Sequence, residues 1–335
     1  MRVDEPGADP ALSVLDRSLD REAVSAQQRL EFLRELTTPF LRMRTDTEPK
    51  IIEQVACDGY RRDRIELELL SGMRFRAYVL VPDQVAAPAP AVLAVHGHGY
   101  GSRQITGLLP DGGPDPDDLD GHHHFAVALA RRGLLVMAPD VVGFGERRSR
   151  ADRGYDTDAG NSCYRLASTL LMQGATLAGL RVVELLGVLD QLAARDDVDP
   201  DRIGIVGHSG GSMLSMIVAA LDERVRASVL CGYPNTFADS IRSVRHCLCN
   251  YLPGVLTLAE QPDLLELIMP RRLFLESGER DPIFPRAGFE RAAAKLAEGY
   301  AAAGVADRFG TDLHPGGHEV SGWQSFAWLE RALTD

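Results

Sequence analysis

The chain has 335 residues, a formal net charge of −12 at pH 7, and apolar and charged fractions of 45% and 25%, ordinary values for a globular protein with enough material for one large core. Only two lysines, Lys50 and Lys295, and scattered arginines stand against 48 acidic residues, so no basic stripe is available for a phosphate backbone and nucleic acid is not an expected partner. No apolar run approaches the roughly 20 residues of a membrane span, and the start, MRVDEPGADP, lacks a basic region followed by an apolar one, so the expected location is cytoplasmic.

Residues 11–44 are rich in Leu, Arg, Glu and Gln, with Leu30, Phe32, Leu33 and Leu36 at mixed three- and four-residue spacing; this predicts helix in an N-terminal extension over residues 1–50. IIEQVAC, RIELELL and RFRAYVLVP follow, with alternation at Ile65, Leu67 and Leu69, and read as antiparallel edge strands. From Pro90 the texture changes to a continuous apolar run ending in glycines, AVLAVHGHGYGS, as expected of a strand covered on both faces. A helix (HHFAVALARRG), a strand (LLVMAPDVVGFG), a long helix (GATLAGLRVVELLGVLDQLAAR), a strand (RIGIVG) and a helix (SMLSMIVAAL) alternate after it, which predicts a mostly parallel sheet flanked by helices. The long helix has a narrow polar stripe, Arg181, Glu184, Gln191 and Arg195, and is expected to be mostly buried.

VRASVLCGY is the next strand, but the sheet resumes only at RRLFLESGERDPIFP. Residues 234–270 between them have little strand character and read as an insertion above the C-terminal strand ends, a candidate helical lid where ligands bind in such sheets. A helix, a short strand over residues 307–313, the loop HPGGHEV and a last helix from about Gly322 close the chain. Residues 51–335 are thereby read as one catalytic domain.

Gly207-His208-Ser209-Gly210-Gly211, between RIGIVG and SMLSMIVAAL, has the strand-turn-helix setting of a nucleophile elbow, where small neighbours allow a strained turn that exposes a serine. G-x-S-x-G alone arises by chance in roughly one chain in ten of this length, so partners decide the reading. A serine hydroxyl needs a base and an orienting group. The histidines downstream are His246, His314 and His318; His318, in a Pro-Gly-Gly loop able to bend back over the sheet, is the expected base, with His314 in reserve. Asp281, followed by the direction-fixing Pro282, is the expected acid, and Glu276 and Glu279 are its alternatives. The oxyanion donors expected are the N–H of Gly210, at a helix N-terminus, and that of His98 in His96-Gly97-His98-Gly99-Tyr100, with Gly99 as the near alternative. His96 fits a structural hydrogen bond beneath that loop.

Five cysteines, Cys57, Cys163, Cys231, Cys247 and Cys249, are odd in number and lack C-x-x-C spacing, against a disulfide framework or zinc ribbon. They read as small core residues. His122, His123 and His124 diverge by about 100° each on a helix start, a poor ligand spacing, and His246 with Cys247 and Cys249 is read the same way. No metal and no cofactor are expected.

Elbow, oxyanion loop, acid loop and base loop together resemble the α/β-hydrolase superfamily, in its branch similar to dienelactone hydrolases and acetyl xylan esterases. APDVVGFGER, YPNTFADSIRSVRHCLCNYLPG and ESGERDPIFP are similar to a bacterial group of that branch, and the resemblance runs from Ile51 to the C-terminus. Dienelactone hydrolases carry a cysteine nucleophile where this chain has Ser209, so that substrate does not carry over. The resemblance implies hydrolysis of a small-molecule carboxylic ester through an acyl-enzyme, with Ser209 attacking, His318 moving the proton and Asp281 holding the imidazole. Lactone, thioester, amide and C–C substrates use the same machinery, and fold analogy does not choose among them. The rivals are a non-catalytic ligand-binding hydrolase fold, usually marked by a broken triad, and a prolyl-oligopeptidase-type peptidase, for whose propeller the chain has no room. Substrate contacts are expected from Tyr100, His208, Tyr233, Arg245 and His246, the last two in an insertion that combines Phe237, Tyr251, Leu252 and Leu256 with Arg242. The expected partners are the ester and, compatibly, further copies of the chain; a membrane is not one.

Overall fold

Nine strands make one sheet: β1 (Lys50–Cys57), β2 (Tyr60–Glu68), β3 (Arg74–Pro82), β4 (Ala89–Val95), β5 (Leu135–Pro139), β6 (Val198–His208), β7 (Val225–Cys231), β8 (Arg272–Gly278) and β9 (Phe309–His314). They lie in the order β1-β2-β3-β5-β4-β6-β7-β8-β9. The computed structural model describes residues 24–84, 86–118, 120–155 and 160–334; the start of the expected N-terminal extension lies outside them. β1, β2, β3 and β5 pair antiparallel, and from β5 to β9 every pairing is parallel. The sequence texture follows this division. In β2 the inward side chains Asp63, Ile65 and Leu67 alternate with less buried ones, whereas every residue of β4 and β5 is buried, as a strand sandwiched between helix layers requires.

Because successive side chains of a strand point to opposite faces, Leu93 and Val95 of β4 join one apolar cluster and Val92 and Ala94 the other. The larger cluster is covered by helices α1 (Ala26–Leu41), α4 (Leu177–Ala193), α5 (Gly210–Leu221) and α6 (Arg286–Ala302), and the smaller by α2 (Phe125–Ala130) and α7 (Ser325–Thr334). α3 (Cys163–Met172) precedes α4. α1 is started by a capping box between Ser25 and Gln28 and lies so close to α4 that a Cβ on Gly179 would strike the Leu36 carbonyl. Arg29 ties it to Asp263 and Glu266 at 3.4 Å.

Two features differ from the sequence expectations. The run before α4 contains a separate helix, α3, and the polar stripe of α4 turns inward: Arg181 and Glu184 are 2% and 3% exposed. Glu184 is paired there with Arg147. Residues 234–270 hold only helical turns and the short helix Gln261–Leu265. Phe237, Ile241, Leu252, Val255, Leu264 and Ile268 of this insertion join the main core, so the segment is a packed wall at the C-terminal ends of the strands. No single helix among the described residues is long and apolar enough to cross a membrane.

Candidate active site

Strand β6 runs into α5 through Ser209, whose φ of 53° and ψ of −124° lie where non-glycine residues rarely go. The turn is held by the Ser209 N–H on the Cys231 carbonyl at 2.8 Å. It closes only because the flanking residues are glycines: a Cβ on Gly207 would sit 2.5 Å from both the Gly211 carbonyl oxygen and Ser215 Oγ, and one on Gly211 would strike the Val95 carbonyl. The helix thereby presses directly on the sheet and presents the serine at its N-terminus.

Two later strand ends converge on it. After β8, Asp281 turns back with Oδ1 accepting the N–H groups of Ile283 and Phe284 at 2.9 and 3.0 Å. Its Oδ2 lies 2.6 Å from Nδ1 of His318. After β9, the Pro315-Gly316-Gly317 loop is stitched to the acid loop by Arg280 N–H on the Gly316 carbonyl (3.0 Å), and brings His318 Nε2 to 2.9 Å from Ser209 Oγ. With Asp281 accepting at Nδ1, the tautomer that completes the chain leaves Nε2 as acceptor of the serine proton. The alternatives lie elsewhere. Glu276 is fully buried and accepts from the N–H groups of Ser321 and Gly322 and from Ser325 Oγ at 2.6 Å, anchoring the segment after His318; burial raises its pKa. Glu279 pairs with Arg286 at the surface, and His314 Nδ1 accepts the Gly316 N–H.

Rings wall the imidazole of His318. His208 packs on it at 4.9 Å, Phe284 stacks on it at 5.6 Å, and His122 meets His208 edge to face at 4.6 Å. His208 is 2% exposed and neither of its nitrogens has a hydrogen-bond partner among the described residues. Burial, followed by the neighbouring His122 and His318, drives its pKa well down, so it is a neutral packing ring beneath His318. Tyr233 is buried against Phe284 (4.9 Å), its hydroxyl without a hydrogen-bond partner among the described residues, and His246, half-buried, packs on the same phenyl ring at 5.1 Å. Burial lowers the His246 pKa as well.

The loop after β4 is fixed from below by two more neutral histidines. His96 Nε2 accepts the Val141 N–H at 3.0 Å and its Nδ1 bonds the Gly97 carbonyl; burial pushes its pKa down to about 3. His122 Nε2 accepts the Gly97 N–H at 3.0 Å while Nδ1 donates to Asp120, and burial again lowers its pKa. Neither the His98 N–H nor the Gly210 N–H donates to a protein acceptor among the described residues. The edge of the His98 ring lies 3.1 Å from where a Cβ on Gly210 would stand, so this loop and the elbow are in contact. Tyr100 lies beside the acidic loop, and burial, then Asp120, Asp115 and Asp118, push its phenol up to about 12. His123 faces Asp118 and Glu319, and His124 faces Asp115 and Asp118; with His122 on Gly97, the three do not converge.

Cys247 and Cys249 do not gather round His246. They meet Cys163 and the Nε2 side of His98, a grouping that no sequence spacing announced. Hydrogen bonds from Cys247 and Cys249, together with the Arg181 guanidinium, hold the Cys163 thiol far below its usual range, and His98, against the effect of its own burial, is pushed up to about 9 by Cys163 and Cys247. Phe237, Tyr251, Leu252 and Leu256 of the insertion, with Arg242, line a cavity of about 430 Å³; Arg245 is exposed and does not line it.

A strained serine on a strand-turn-helix at the centre of a mostly parallel sheet, facing a histidine and an aspartate from later strand ends, defines an α/β-hydrolase. The chain belongs to the Abhydrolase family, whose model matches residues 35–285. It is 28% identical over 279 residues to YtaP of Bacillus subtilis (strain 168), a protein named a hydrolase by inference, covering 82% of this chain and 88% of that one. Solved structures share the fold: a Bacteroides fragilis NCTC 9343 protein named an acetyl xylan esterase by inference (TM-score 0.80, 17% identity, 100% and 97% of the two chains) and the glucuronoyl esterase from Solibacter usitatus (0.62, 14%, 92% of each). Acetyl Xylan Esterase 1 from Thermoanaerobacterium sp. JW/SL YS485 superposes with a TM-score of 0.54 at 16% identity over 99% and 100%.

Proposed function

We propose that this protein hydrolyses carboxylic esters of small molecules through an acyl-enzyme formed on Ser209. The observation that carries the reading is the unbroken hydrogen-bonded line from Ser209 Oγ through His318 to Asp281, at 2.9 and 2.6 Å, on a strained turn that holds the serine at the N-terminus of α5. In this reading Oγ attacks the ester carbonyl carbon as its proton passes to His318 Nε2, and Asp281 stabilises the imidazolium through Nδ1–H. The uncommitted N–H groups of His98 and Gly210 receive the developing oxyanion, aided by the N-terminal dipole of α5. The imidazolium then returns its proton to the leaving alkoxide, and water, deprotonated by the same nitrogen, releases the acid.

An ester is favoured over a peptide because the structural relatives reported above carry esterase names. A panel of p-nitrophenyl esters of increasing chain length, run beside an aminoacyl anilide, tests this. Turnover of short esters, abolished by at least about 10⁴-fold in Ser209→Ala with unchanged folding, is the expected result; ester turnover surviving in Ser209→Ala would falsify the mechanism.

A further inference from the structure

The four ligand atoms of His98, Cys163, Cys247 and Cys249 all lie within 4.8 Å of one another. Nε2 of His98 is 3.3 Å from Cys249 Sγ and 3.9 Å from Cys163 Sγ, and the sulfurs of Cys247 and Cys249 are 3.4 Å apart. Around a tetrahedral zinc ion with Zn–S near 2.3 Å and Zn–N near 2.0 Å, ligand atoms stand about 3.5–3.8 Å from each other. The three contacts of 3.3, 3.4 and 3.9 Å are within about half an ångström of that spacing, and the outer bound of 4.8 Å on the whole group leaves the widest pair about 1 Å at most to close on an ion. Three chain segments supply the group: the loop after β4, the N-terminus of α3, and the insertion. Cys163 and Cys249 are buried, and His98 and Cys247 are partly so.

A second observation concerns charge. Arg181 is 2% exposed, and among the described residues it pairs with no carboxylate; its guanidinium donates to the Val142 carbonyl and reaches Cys163 Sγ at 3.2 Å. A buried arginine without a carboxylate needs a compensating anion, and the sulfur cluster is what it faces. Three thiolates, a neutral imidazole and Zn²⁺ carry a net charge of −1, which the guanidinium cancels. Thiolate and imidazole donors also select a borderline-soft cation over magnesium or calcium.

We propose that His98, Cys163, Cys247 and Cys249 bind one structural zinc ion, with Arg181 as its counter-charge. On binding, the three sulfurs and His98 Nε2 each donate a lone pair to the ion, and the protons that the four groups carry, including the one on the His98 imidazole, pass to solvent; no oxidation state changes. All four positions are filled by protein, so the ion is closed to substrate. Its effect is positional: it clamps the insertion and α3 to the loop whose His98 ring abuts Gly210. The site is read from metal content and spectra, without substrate, so its failure and that of the esterase reading are separable.

The test is metal analysis of the full chain expressed in zinc-supplemented medium, beside Cys163→Ala and Cys249→Ala. About one zinc per chain in the parent, and almost none in either variant, is expected. Should the variants not fold, Co²⁺ added to the parent after zinc is stripped from it with a mercurial and a chelator decides: a thiolate-to-cobalt charge-transfer band with tetrahedral d–d bands is expected, together with an unfolding temperature that falls on stripping and returns with metal. A parent chain free of zinc that gives no such band when reduced overturns the proposal. Variants that keep the full zinc content, or copper or iron in zinc's place, do so equally.

Discussion

On one side of Ser209 the partners arrive in order: β8 delivers Asp281, β9 delivers His318, and backbone hydrogen bonds from Glu279 to His314 and from Arg280 to Gly316 set the spacing. On the other side nothing is sequential. The loop after β4 is held by His96 on Val141, by His122 on Gly97, and through the His98 ring by cysteines from α3 and the insertion. The first flank is made rigid by strand geometry and two backbone donors to a carboxylate; the second depends on neutral, buried imidazoles that each satisfy one amide. The first should fail by chemistry when altered and the second by misplacement.

The sharpest way to separate the flanks is Asp281→Asn, which keeps shape but favours the wrong imidazole tautomer; kcat should fall by about 10⁴-fold with little change in unfolding temperature. Loss of less than about tenfold in steady-state assays would hand the orienting role to another group. On the opposite flank, His122→Ala leaves the buried Gly97 N–H without an acceptor, a cost of about 1–3 kcal/mol, and displaces the loop. Stopped-flow and denaturant melts should show kcat lowered by about tenfold at nearly constant KM, with reduced stability.

Acidity probes the same contrast without mutation. His96, His122 and His208 have folded pKa values depressed by burial, so between about pH 6.5 and their folded values the unfolded chain binds protons that the folded one refuses. The contribution of these three rings to stability is fully present above pH 6.5 and declines below it, with a limiting slope of about 1.4 kcal/mol per pH unit for each histidine, whereas His98, pushed up to about 9, loses its contribution as the pH rises from 6.5 toward that value. Glu276 and Asp140, raised by burial, oppose this over the carboxylate range. Urea melts from pH 7.5 to 5 should show the decline, and a flat profile would mean that the rings are hydrated. The smallest effect is expected for Glu279→Gln: it loses a surface pair with Arg286, about 0.5 kcal/mol or less, and leaves kcat unchanged, marking the boundary between the acid loop's chemistry and its surface.

The contrast between flanks is also a contrast in legibility. The elbow is contiguous, so Ser209 and its glycines could be read from five letters, and the order of later strand ends narrowed acid and base to a few residues each. Periodicity likewise gave the layers of the sheet, because alternation in β2 and continuous burial in β4 are direct imprints of what covers each face. The cysteine cluster had no such imprint. Its members lie 65 and 151 residues from His98, and the nearest histidine in sequence, His246, turns to Phe284 instead. Arg181 and Glu184 were placed on the correct stripe of α4, yet a stripe says nothing about whether water or another guanidinium lies against it. α3 carries a clear helical period over its ten residues, so this helix is legible in the sequence, and its absence from the sequence expectations is the part that the structure corrects.

The close packing of α5 against the sheet inverts the usual relation between importance and replaceability. Ser209, on which the proposed chemistry turns, carries a small side chain at the apex of the turn, and a lineage could exchange it for another nucleophile while keeping a folded protein. Gly207 and Gly211 do nothing to a substrate, yet any side chain at either would drive helix from strand. Drift in this fold is therefore free to rewrite the reaction and is barred from touching the hinge that presents it.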